Sequence, residues 1–286
     1  KNIFKNIQIL FNIYHILKTE KPDHLFSFTL KPNLYCGLLN NFFKFSFFPT
    51  ISGLGTAKNK GGILFFFIKF LMKLAFLNYS KIFVHNKEEF FFVNNLGINK
   101  KKIIQVNGSG INLNKFKSLN YSKNISNNYL YVGRLIADKG IWELIDAFKI
   151  FNNFKKNSRL TLAIMIDDDN ATTINLNQLK RELSGTNIIL KTNVKNIRNL
   201  FNTHGCLILP SYSEGMSRSV MEAISSARPV ICSNIHGCKE MVKNDYNGYL
   251  VKPKSIISIY KALKKFDKLT ISQKIRFSKN SRNLTK

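Results

Sequence analysis

Short apolar runs and segments of helical periodicity alternate along almost the whole chain of 286 residues. Repetition of an apolar strand followed by a helix favours α/β layers, in which crossover helices join parallel strands. The runs predicted as strands are 24–29, 47–51, 81–85, 102–106, 129–132, 160–166, 188–190, 206–209, 229–232 and 248–251. The pattern therefore predicts an α/β fold with Rossmann-like parallel sheets.

The alternation is interrupted by residues 111–127, which are rich in Asn, Lys and Ser and have no periodicity. Such composition is typical of a connecting segment. We therefore predict an N-terminal domain over residues 1–118, a linker over 119–128 and a C-terminal domain over 129–286. The N-terminal half enters in mid-pattern, with a helix ahead of its first predicted strand.

The chain is strongly basic, with 44 Lys and Arg against 16 Asp and Glu and a formal net charge of +28. This excess fits nucleic acid, an anionic membrane surface, or a coding bias towards Lys and Asn. The lysines are scattered and the sequence contains no nucleic-acid-binding motif, so a nucleic-acid partner is disfavoured. Four widely spaced cysteines share no metal-ligand spacing and predict reduced thiols in a cytosolic protein.

The longest apolar run, residues 62–77, is interrupted by Lys69 and Lys73. Its uninterrupted pieces are shorter than the about 20 apolar residues that a membrane-spanning helix needs. A basic stripe among Phe, Leu and Met side chains is compatible with a core helix of an α/β domain. It is also the pattern of a helix that lies on a membrane surface, and the sequence leaves both open.

Two glutamates spaced eight residues apart, Glu214 and Glu222, follow the apolar run 206–209. The order is a strand, a Pro-Ser turn, Glu214-Gly215, and a helix that begins near Ser217. A helix that begins after a strand directs unpaired backbone N–H groups towards an anion. Carboxylates accept hydroxyl hydrogen bonds, so the pair suits a polyhydroxylated ligand such as a sugar or a ribose.

A second motif joins a predicted strand to a helix through Gly133, Arg134 and Lys139. Gly133 is expected to permit a tight turn. Arg134 as a planar fork and Lys139 as a point charge can converge on one anion, which suits a diphosphate leaving group.

Further polar loops follow predicted strands at the edge where open α/β sheets bind ligands. In the first half these loops are Thr29–Asn33, Ser52–Gly55, Asn86 and Gly108–Gly110. In the second half the loop is Ser233–Glu240, which is either another backbone-amide site or an ordinary connection between a strand and a helix. None of these loops is decisive alone.

The order of these motifs resembles the retaining glycosyltransferases of family 4, and within them the capsule, O-antigen and lipid-linked glycan branch. The resemblance covers nearly the whole chain. In the first half it rests on Lys21-Pro22-Asp23, Thr29 to Tyr35, Ser52 to Gly55, His85-Asn86 and Gly108 to Phe116. It implies the GT-B fold, two Rossmann-like domains whose parallel sheets face a cleft, here with an N-terminal domain that lacks its first strand.

The resemblance also implies roles for individual residues. Arg134 and Lys139 would hold the nucleotide diphosphate and stabilise its charge as the glycosidic bond breaks, and Glu214 would contact the donor sugar. Glu222 would bind the ribose hydroxyls. The remaining donor-binding residues would be Gly55, Asn86, Gly133, and the backbone amides of Gly215, Met216 and Ser217. The family needs no metal, and Asp167-Asp168-Asp169 is interpreted as a divergent turn.

Besides the missing first strand, two features depart from the family. Phe26-Ser27-Phe28 stands where many relatives carry His-x-His, so no imidazole can be assigned there. The final helix is expected to be cut short after Arg276.

We therefore predict a glycosyltransferase that works as a peripheral protein on the cytoplasmic face of the cell membrane. The donor would be a UDP-sugar, UDP-GalNAc or UDP-GlcNAc on branch resemblance. The acceptor would be a saccharide linked to undecaprenyl diphosphate. Two alternatives stay open, a transferase of the same fold with a soluble acceptor and an inactive truncated remnant bound to the membrane.

Overall fold

A computed structural model describes residues 3–53, 62–167, 170 and 172–285. The chain divides into two compact units, residues 1–109 and 110–286. Each unit has its own hydrophobic core, gathered around its own sheet.

The first unit contains a parallel sheet that, within the described residues, has four strands in the order β1-β2-β3-β4. The strands are β1 (His24–Phe28), β2 (Ser46–Ile51), β3 (Ile82–Val84) and β4 (Ile103–Gln105). The helices are α1 (Ile3–Glu20), α2 (Leu30–Phe43), α3 (Gly62–Ala75) and α4 (Lys87–Asn94). The predicted alternation is confirmed here, with bounds shifted by a few residues.

The second unit contains a parallel sheet of six strands, counted over the part of the chain that the structure describes, in the order β10-β9-β8-β5-β6-β7. The strands are β5 (Asn128–Arg134), β6 (Arg159–Met165), β7 (Ile188–Thr192), β8 (Cys206–Leu209), β9 (Val230–Ser233) and β10 (Gly248–Val251). The helices are α5 (Ile141–Phe154), α6 (Leu176–Leu183), α7 (Ile197–Thr203), α8 (Arg218–Ser225), α9 (Ile256–Asp267) and α10 (Ile271–Asn283). This is the doubly wound order, in which the chain starts at the centre and reverses direction between β5 and β8.

The segment predicted as a linker, residues 119–128, packs on the second unit. Tyr121 and Ile125 are buried, and β5 already begins at Asn128. The buried guanidinium of Arg228 donates to the carbonyls of Leu119 and Asn120, both at 3.1 Å. This segment is therefore part of the second unit, which begins at residue 110.

Two local expectations need correction. Gly133 does not form a turn, because it lies inside β5, and its missing side chain leaves space for the Tyr131 hydroxyl, 2.7 Å from where a Cβ would be. The last helix does not stop after Arg276 but continues to Asn283, since Phe277, one residue past that point, is buried in the core. Thr270 and Gln273 form a capping box at the start of the same helix.

Among the described helices, none has both the length and the apolar character required to cross a bilayer. The four cysteines are unbridged and buried.

Candidate active site

The centre of the second sheet is where a ligand site is expected. Strands β5 and β8 are neighbours, and their crossover connections leave to opposite sides, which opens a crevice at their carboxyl ends. Gly133 and Arg134 end β5, and Glu214 follows β8 by five residues. Both predicted motifs therefore meet at the reversal point of the sheet.

The two loops at this point are tied together through their backbones. Gly140 has a φ of 69°, and a Cβ there would lie 2.2 Å from the carbonyl oxygen of Pro210. The amide of Tyr212 donates to the carbonyl of Asp138 at 2.9 Å. The turn that carries Lys139 is therefore held against the loop that carries Glu214.

A cavity of about 490 Å³ opens between these loops, entirely within the second unit. Its lining includes most of the residues predicted for the second unit. They are Gly133, Arg134, Lys139, Glu214, Met216, Ser217 and Glu222.

Lys139 and Glu214 form a tight ion pair in this cavity. The Lys139 Nζ lies 2.5 Å from the Glu214 Oε1, and the two side chains are only 14% and 12% exposed. The attraction between two charges so withdrawn from water is stronger than that between charges at the surface, and it holds Glu214 in one direction.

Two further ion pairs belong to the same site. Arg134, whose side chain is 45% exposed, donates to Asp167 at 2.7 Å. Arg218, at the first position of α8, donates to Glu222 at 3.1 Å. Burial raises the pKa of Glu222, while the nearby cations Arg218 and Lys115 lower it in part.

Arg134, Lys139 and Arg218, which line the cavity, are therefore each paired with a carboxylate. A ligand with a diphosphate can replace the carboxylates as the partner of the cations, because phosphate oxygens accept the same hydrogen bonds. The displaced carboxylates then become acceptors for hydroxyl groups. Such an exchange suits a ligand that carries both a diphosphate and sugars.

One wall of the cavity is apolar. It is formed by Ala163, Ile164, Met165, Val194 and Ile197. An apolar wall beside a charged end is suited to a ligand with a flat ring at one end and phosphates at the other.

Ser217 contributes differently from the expectation. Its amide already donates to the carbonyl of Gly237 at 2.9 Å, and its hydroxyl accepts from the amide of Val220 as the cap of α8. The Ser217 amide is therefore committed to the protein, although the residue does line the cavity.

Residues 114–284 match the family described as glycosyl transferases, group 1. This match covers more than half of the chain. The chain belongs to the group 1 glycosyltransferases.

Individual relatives agree with this family. The chain is 28% identical to the capsular polysaccharide biosynthesis glycosyltransferase CapM of Staphylococcus aureus over 51% of its own length and 38% of CapM. It is 26% identical to the N,N'-diacetylbacillosaminyl-diphospho-undecaprenol alpha-1,3-N-acetylgalactosaminyltransferase of Campylobacter jejuni, over 89% of the chain and 70% of that protein. The chain thus spans about two fifths of the length of CapM.

The fold also matches solved glycosyltransferase structures. Anabaena HepE in complex with UDP aligns with a TM-score of 0.77 and 14% identity, over 97% of this chain and 77% of HepE. Together with two α/β units built on parallel sheets, this match establishes the GT-B fold that the sequence predicted.

In the first unit, Asn86, which was predicted to bind the donor, caps the helix that follows it. It is buried, and its side chain caps α4 by accepting from the amide of Glu89 at 2.9 Å. Gly55 lies outside the described residues.

The loop after β1 is likewise held by structural hydrogen bonds. Ser27 donates to Asn33 at 2.6 Å, and Asn33 donates to the carbonyl of Thr50 at 2.9 Å. Phe26 and Phe28, at the positions compared with His-x-His, are exposed on β1 at the edge of the described sheet.

Sequence reasoning missed Asp167 and Arg218 as site residues. The signal for Arg218 was its spacing four residues before Glu222, which places both side chains on one face of α8. Asp167 was assigned only to a turn, although it follows β6, the strand beside β5. Among the described residues, no group of three or more His, Cys, Asp or Glu side chains could hold a metal ion.

Proposed function

We propose that this glycosyltransferase transfers a sugar from a UDP-sugar to a saccharide linked to undecaprenyl diphosphate, with retention of anomeric configuration and without a metal ion. The observation that carries the proposal is the cavity at the reversal point of the second sheet, which is lined by three cations, each paired with a carboxylate. The chemistry of that set fits a nucleotide sugar at both its charged and its hydroxylated parts.

In this mechanism Arg134 and Lys139 bind the diphosphate. Negative charge grows on the leaving diphosphate as the bond to the sugar breaks, and fixed cations stabilise it more in the transition state than in the ground state. The same two cations take the place that a metal ion would have. Lys139 is the better placed for this role, because its pair with Glu214 is shielded from water.

Glu214 and Glu222 bind hydroxyl groups. The loop formed by residues 210–217, which we call the donor loop, presents Glu214 to the donor sugar. Glu222 lies one turn into α8 and serves the ribose. The apolar wall that contains Ile164 and Met165 is the surface available to the base.

The choice of UDP as the donor nucleotide is supported by HepE, which binds UDP in its solved structure. The sugar and the acceptor are supported by the Campylobacter jejuni relative, whose name specifies an N-acetylgalactosamine, an alpha linkage and a diphospho-undecaprenol acceptor. We therefore propose UDP-GalNAc or UDP-GlcNAc as the donor. Retention is tested by the anomeric configuration of the product, measured by proton NMR coupling constants.

A lipid-linked acceptor requires that the enzyme work at a membrane surface, and α3 has the required features. Exposed apolar side chains recur along one face at helical spacing, on Ile63, Phe66, Phe67, Phe70 and Leu74. The 14 residues of α3 extend about 21 Å, less than the about 30 Å of a bilayer core. A helix of this kind lies in the interface instead of spanning the membrane.

Charge supports the same orientation. Lys69 and Lys73 lie on α3, and the chain has a net charge of +28. Each lysine near an anionic lipid surface contributes about 1 kcal/mol to binding. The proposed location is therefore the cytoplasmic face of the membrane, where anionic headgroups and nucleotide sugars are both present.

The donor assignment is tested by thermal shift and hydrolysis with UDP-, GDP- and ADP-sugars. We expect UDP-sugars to stabilise the wild type, and Glu214→Gln and Arg134→Ala to abolish or weaken that response. Lys149 and Glu182 form an ion pair of the same chemistry, 3.2 Å long, that does not line the cavity. Lys149→Ala and Glu182→Gln are therefore matched controls that should respond like the wild type. A wild type that no nucleotide sugar stabilises would overturn the assignment.

A lipid-linked acceptor requires membrane association, and this association is tested by co-sedimentation with vesicles. Binding should require anionic lipid and should fall in Phe66→Ser/Phe70→Ser and in Lys69→Gln/Lys73→Gln. Ile257→Ser removes an equally exposed apolar side chain from the second unit and should leave binding unchanged. Transfer to a soluble saccharide without any vesicle binding would instead support the soluble-acceptor alternative.

A further inference from the structure

The donor loop touches the turn that follows β9, residues 234–240, which we call the supporting turn. The contact is between backbones. Gly237 has a φ of 82°, and a Cβ there would lie 2.3 Å from the carbonyl oxygen of Gly215 and 2.7 Å from that of Glu214. In addition, the Ser217 amide donates to the Gly237 carbonyl at 2.9 Å. The donor loop can adopt its position only because residue 237 has no side chain.

The supporting turn is itself held by a carboxylate. The Glu240 Oε2 accepts from the Gly237 amide at 2.7 Å, and the Glu240 Oε1 lies 2.9 Å from the His236 Nδ1. Gly237 is therefore fixed on both sides, by Glu240 through its amide and by Ser217 through its carbonyl. Neither Gly237 nor Glu240 lines the cavity, so neither is placed to touch a ligand.

We infer that Gly237 and Glu240 are positioning residues for the transfer reaction, acting through the backbone of the donor loop on the direction of Glu214. The hydrogen bond to Gly237 fixes Ser217, and the close approach of Gly237 to the carbonyls of Glu214 and Gly215 fixes the two peptides that follow Glu214. A displacement of about 1 Å in a reacting group lowers catalytic rates by about 100-fold. Because the donor loop is assigned by the proposed function, these roles rest on that function.

Gly237→Ala tests this role, with Gly185→Ala as its matched control. Gly185 has a φ of 73°, and a Cβ there would meet nothing within 4 Å. Both variants introduce the same left-handed strain, but only Gly237→Ala pushes a methyl group into the donor loop. We expect Gly237→Ala to lower kcat for transfer or donor hydrolysis by about 100-fold. The Kd for UDP should change by less than about threefold, and Gly185→Ala should keep the kcat of the wild type.

Glu240→Ala and Glu240→Gln provide a second measurement, which holds even if the Gly237→Ala variant fails to fold. Glu240→Ala should lower kcat by about tenfold, since a charge-assisted hydrogen bond is lost. Glu240→Gln, which keeps an acceptor for the Gly237 amide, should recover part of that loss. A purely structural role would instead lower thermal stability and leave kcat unchanged.

Glu214→Gln, measured in the same series, distinguishes failure of the positioning role from failure of the proposed donor site. If Glu214→Gln is inactive while Gly237→Ala and Glu240→Ala keep the kcat of the wild type, the positioning role is wrong and the donor site stands. If Glu214→Gln is fully active, the donor site is wrong and the positioning role falls with it.

Discussion

Both units carry glutamates at the carboxyl ends of their parallel strands, but they use them differently. In the first unit Glu89 is 2% exposed, and its two oxygens accept from the amides of Gly53 and His85 at 2.6 and 2.7 Å. In the second unit Glu214 and Glu222 are paired with side-chain cations beside a cavity.

The difference lies in what a ligand can replace. A phosphate can substitute for a carboxylate opposite Lys139, because both are anions with exposed oxygen lone pairs. Nothing outside the chain can substitute for Glu89 without opening the turns after β2 and β3. Glutamates that follow the carboxyl ends of parallel strands are thus structural in the first unit and available for chemistry in the second.

The largest expected effect is on the water-shielded pair of the second unit. Lys139→Met should lower the transfer rate at least about 100-fold, since it removes a fixed cation from the leaving group. It should also lower the free energy of unfolding by about 2 kcal/mol, because Glu214 is left largely buried without its partner.

Arg134→Met is the matched comparison for Lys139→Met. The ion pair between Arg134 and Asp167 is much more exposed than the one between Lys139 and Glu214. The free energy of unfolding should therefore change by less than about 1 kcal/mol, while activity still falls. Urea denaturation and single-turnover transfer rates measure both quantities. Equal destabilisation by the two variants would contradict the distinction between a shielded and an exposed pair.

In the first unit, Glu89→Ala should reduce stability without affecting the donor cavity. The amides of Gly53 and His85 lose their acceptor, at a cost of about 2–3 kcal/mol in local stability. Hydrogen exchange in peptides covering residues 46–53 and 82–94 should become faster, whereas the Kd for UDP stays within about twofold. Glu20→Ala, an exposed position on α1, is the control. Loss of UDP binding in Glu89→Ala would break the comparison between the units.

Titration of Glu89 should give a smaller, graded effect. Burial raises the pKa of Glu89 to about 7 in the folded protein, against its backbone hydrogen bonds, which lower it. Between the ordinary pKa of a glutamate and pH 7, the folded state therefore binds a proton that the unfolded chain has lost. Stability from this group is full below that ordinary pKa and decreases as the pH rises to about 7.

His85 opposes this trend, because burial lowers its pKa and its contribution to stability increases with pH. Stability must therefore be compared between the wild type and Glu89→Gln, which retains His85, from pH 5 to 8. The difference between the two should shrink or reverse in favour of Glu89→Gln as the pH rises. A difference that is constant with pH would show that Glu89 does not titrate in this range.

The smallest expected effect is on the helix cap. Asn86→Ala should lower stability by about 1 kcal/mol through loss of the cap on α4, and Asn86→Asp should restore it. UDP-sugar affinity should not change if the role of Asn86 is confined to the cap. A weaker affinity in both variants would favour the donor-binding role predicted from the family resemblance.

The sequence was a good guide to the elements and to the second-unit motifs. Alternating apolar runs predicted the strands of both sheets, and the spacing of Glu214 and Glu222 predicted that both would lie near the start of one helix. It was a poor guide to individual partners. Asp167 and Arg134 are 33 residues apart in the chain, and only the pairing of β5 with β6 brings them together.

Backbone contacts were the least accessible to sequence reasoning. Gly133 was expected to form a turn and instead makes space for Tyr131 inside a strand. The segment around Leu119 was expected to be a linker, because its composition is polar. The carbonyls of Leu119 and Asn120 in that segment accept from Arg228, a residue more than a hundred positions later.

The sequence by itself determined the α/β class, the succession of strands and helices along the chain, and the family, because periodicity and motif spacing are local properties of the chain. The tertiary structure decided which charges meet, which amides are already bonded, and which glutamates remain available to a ligand. Those outcomes depend on distances between residues far apart in the chain, and such distances are set only when the strands pair and the loops pack.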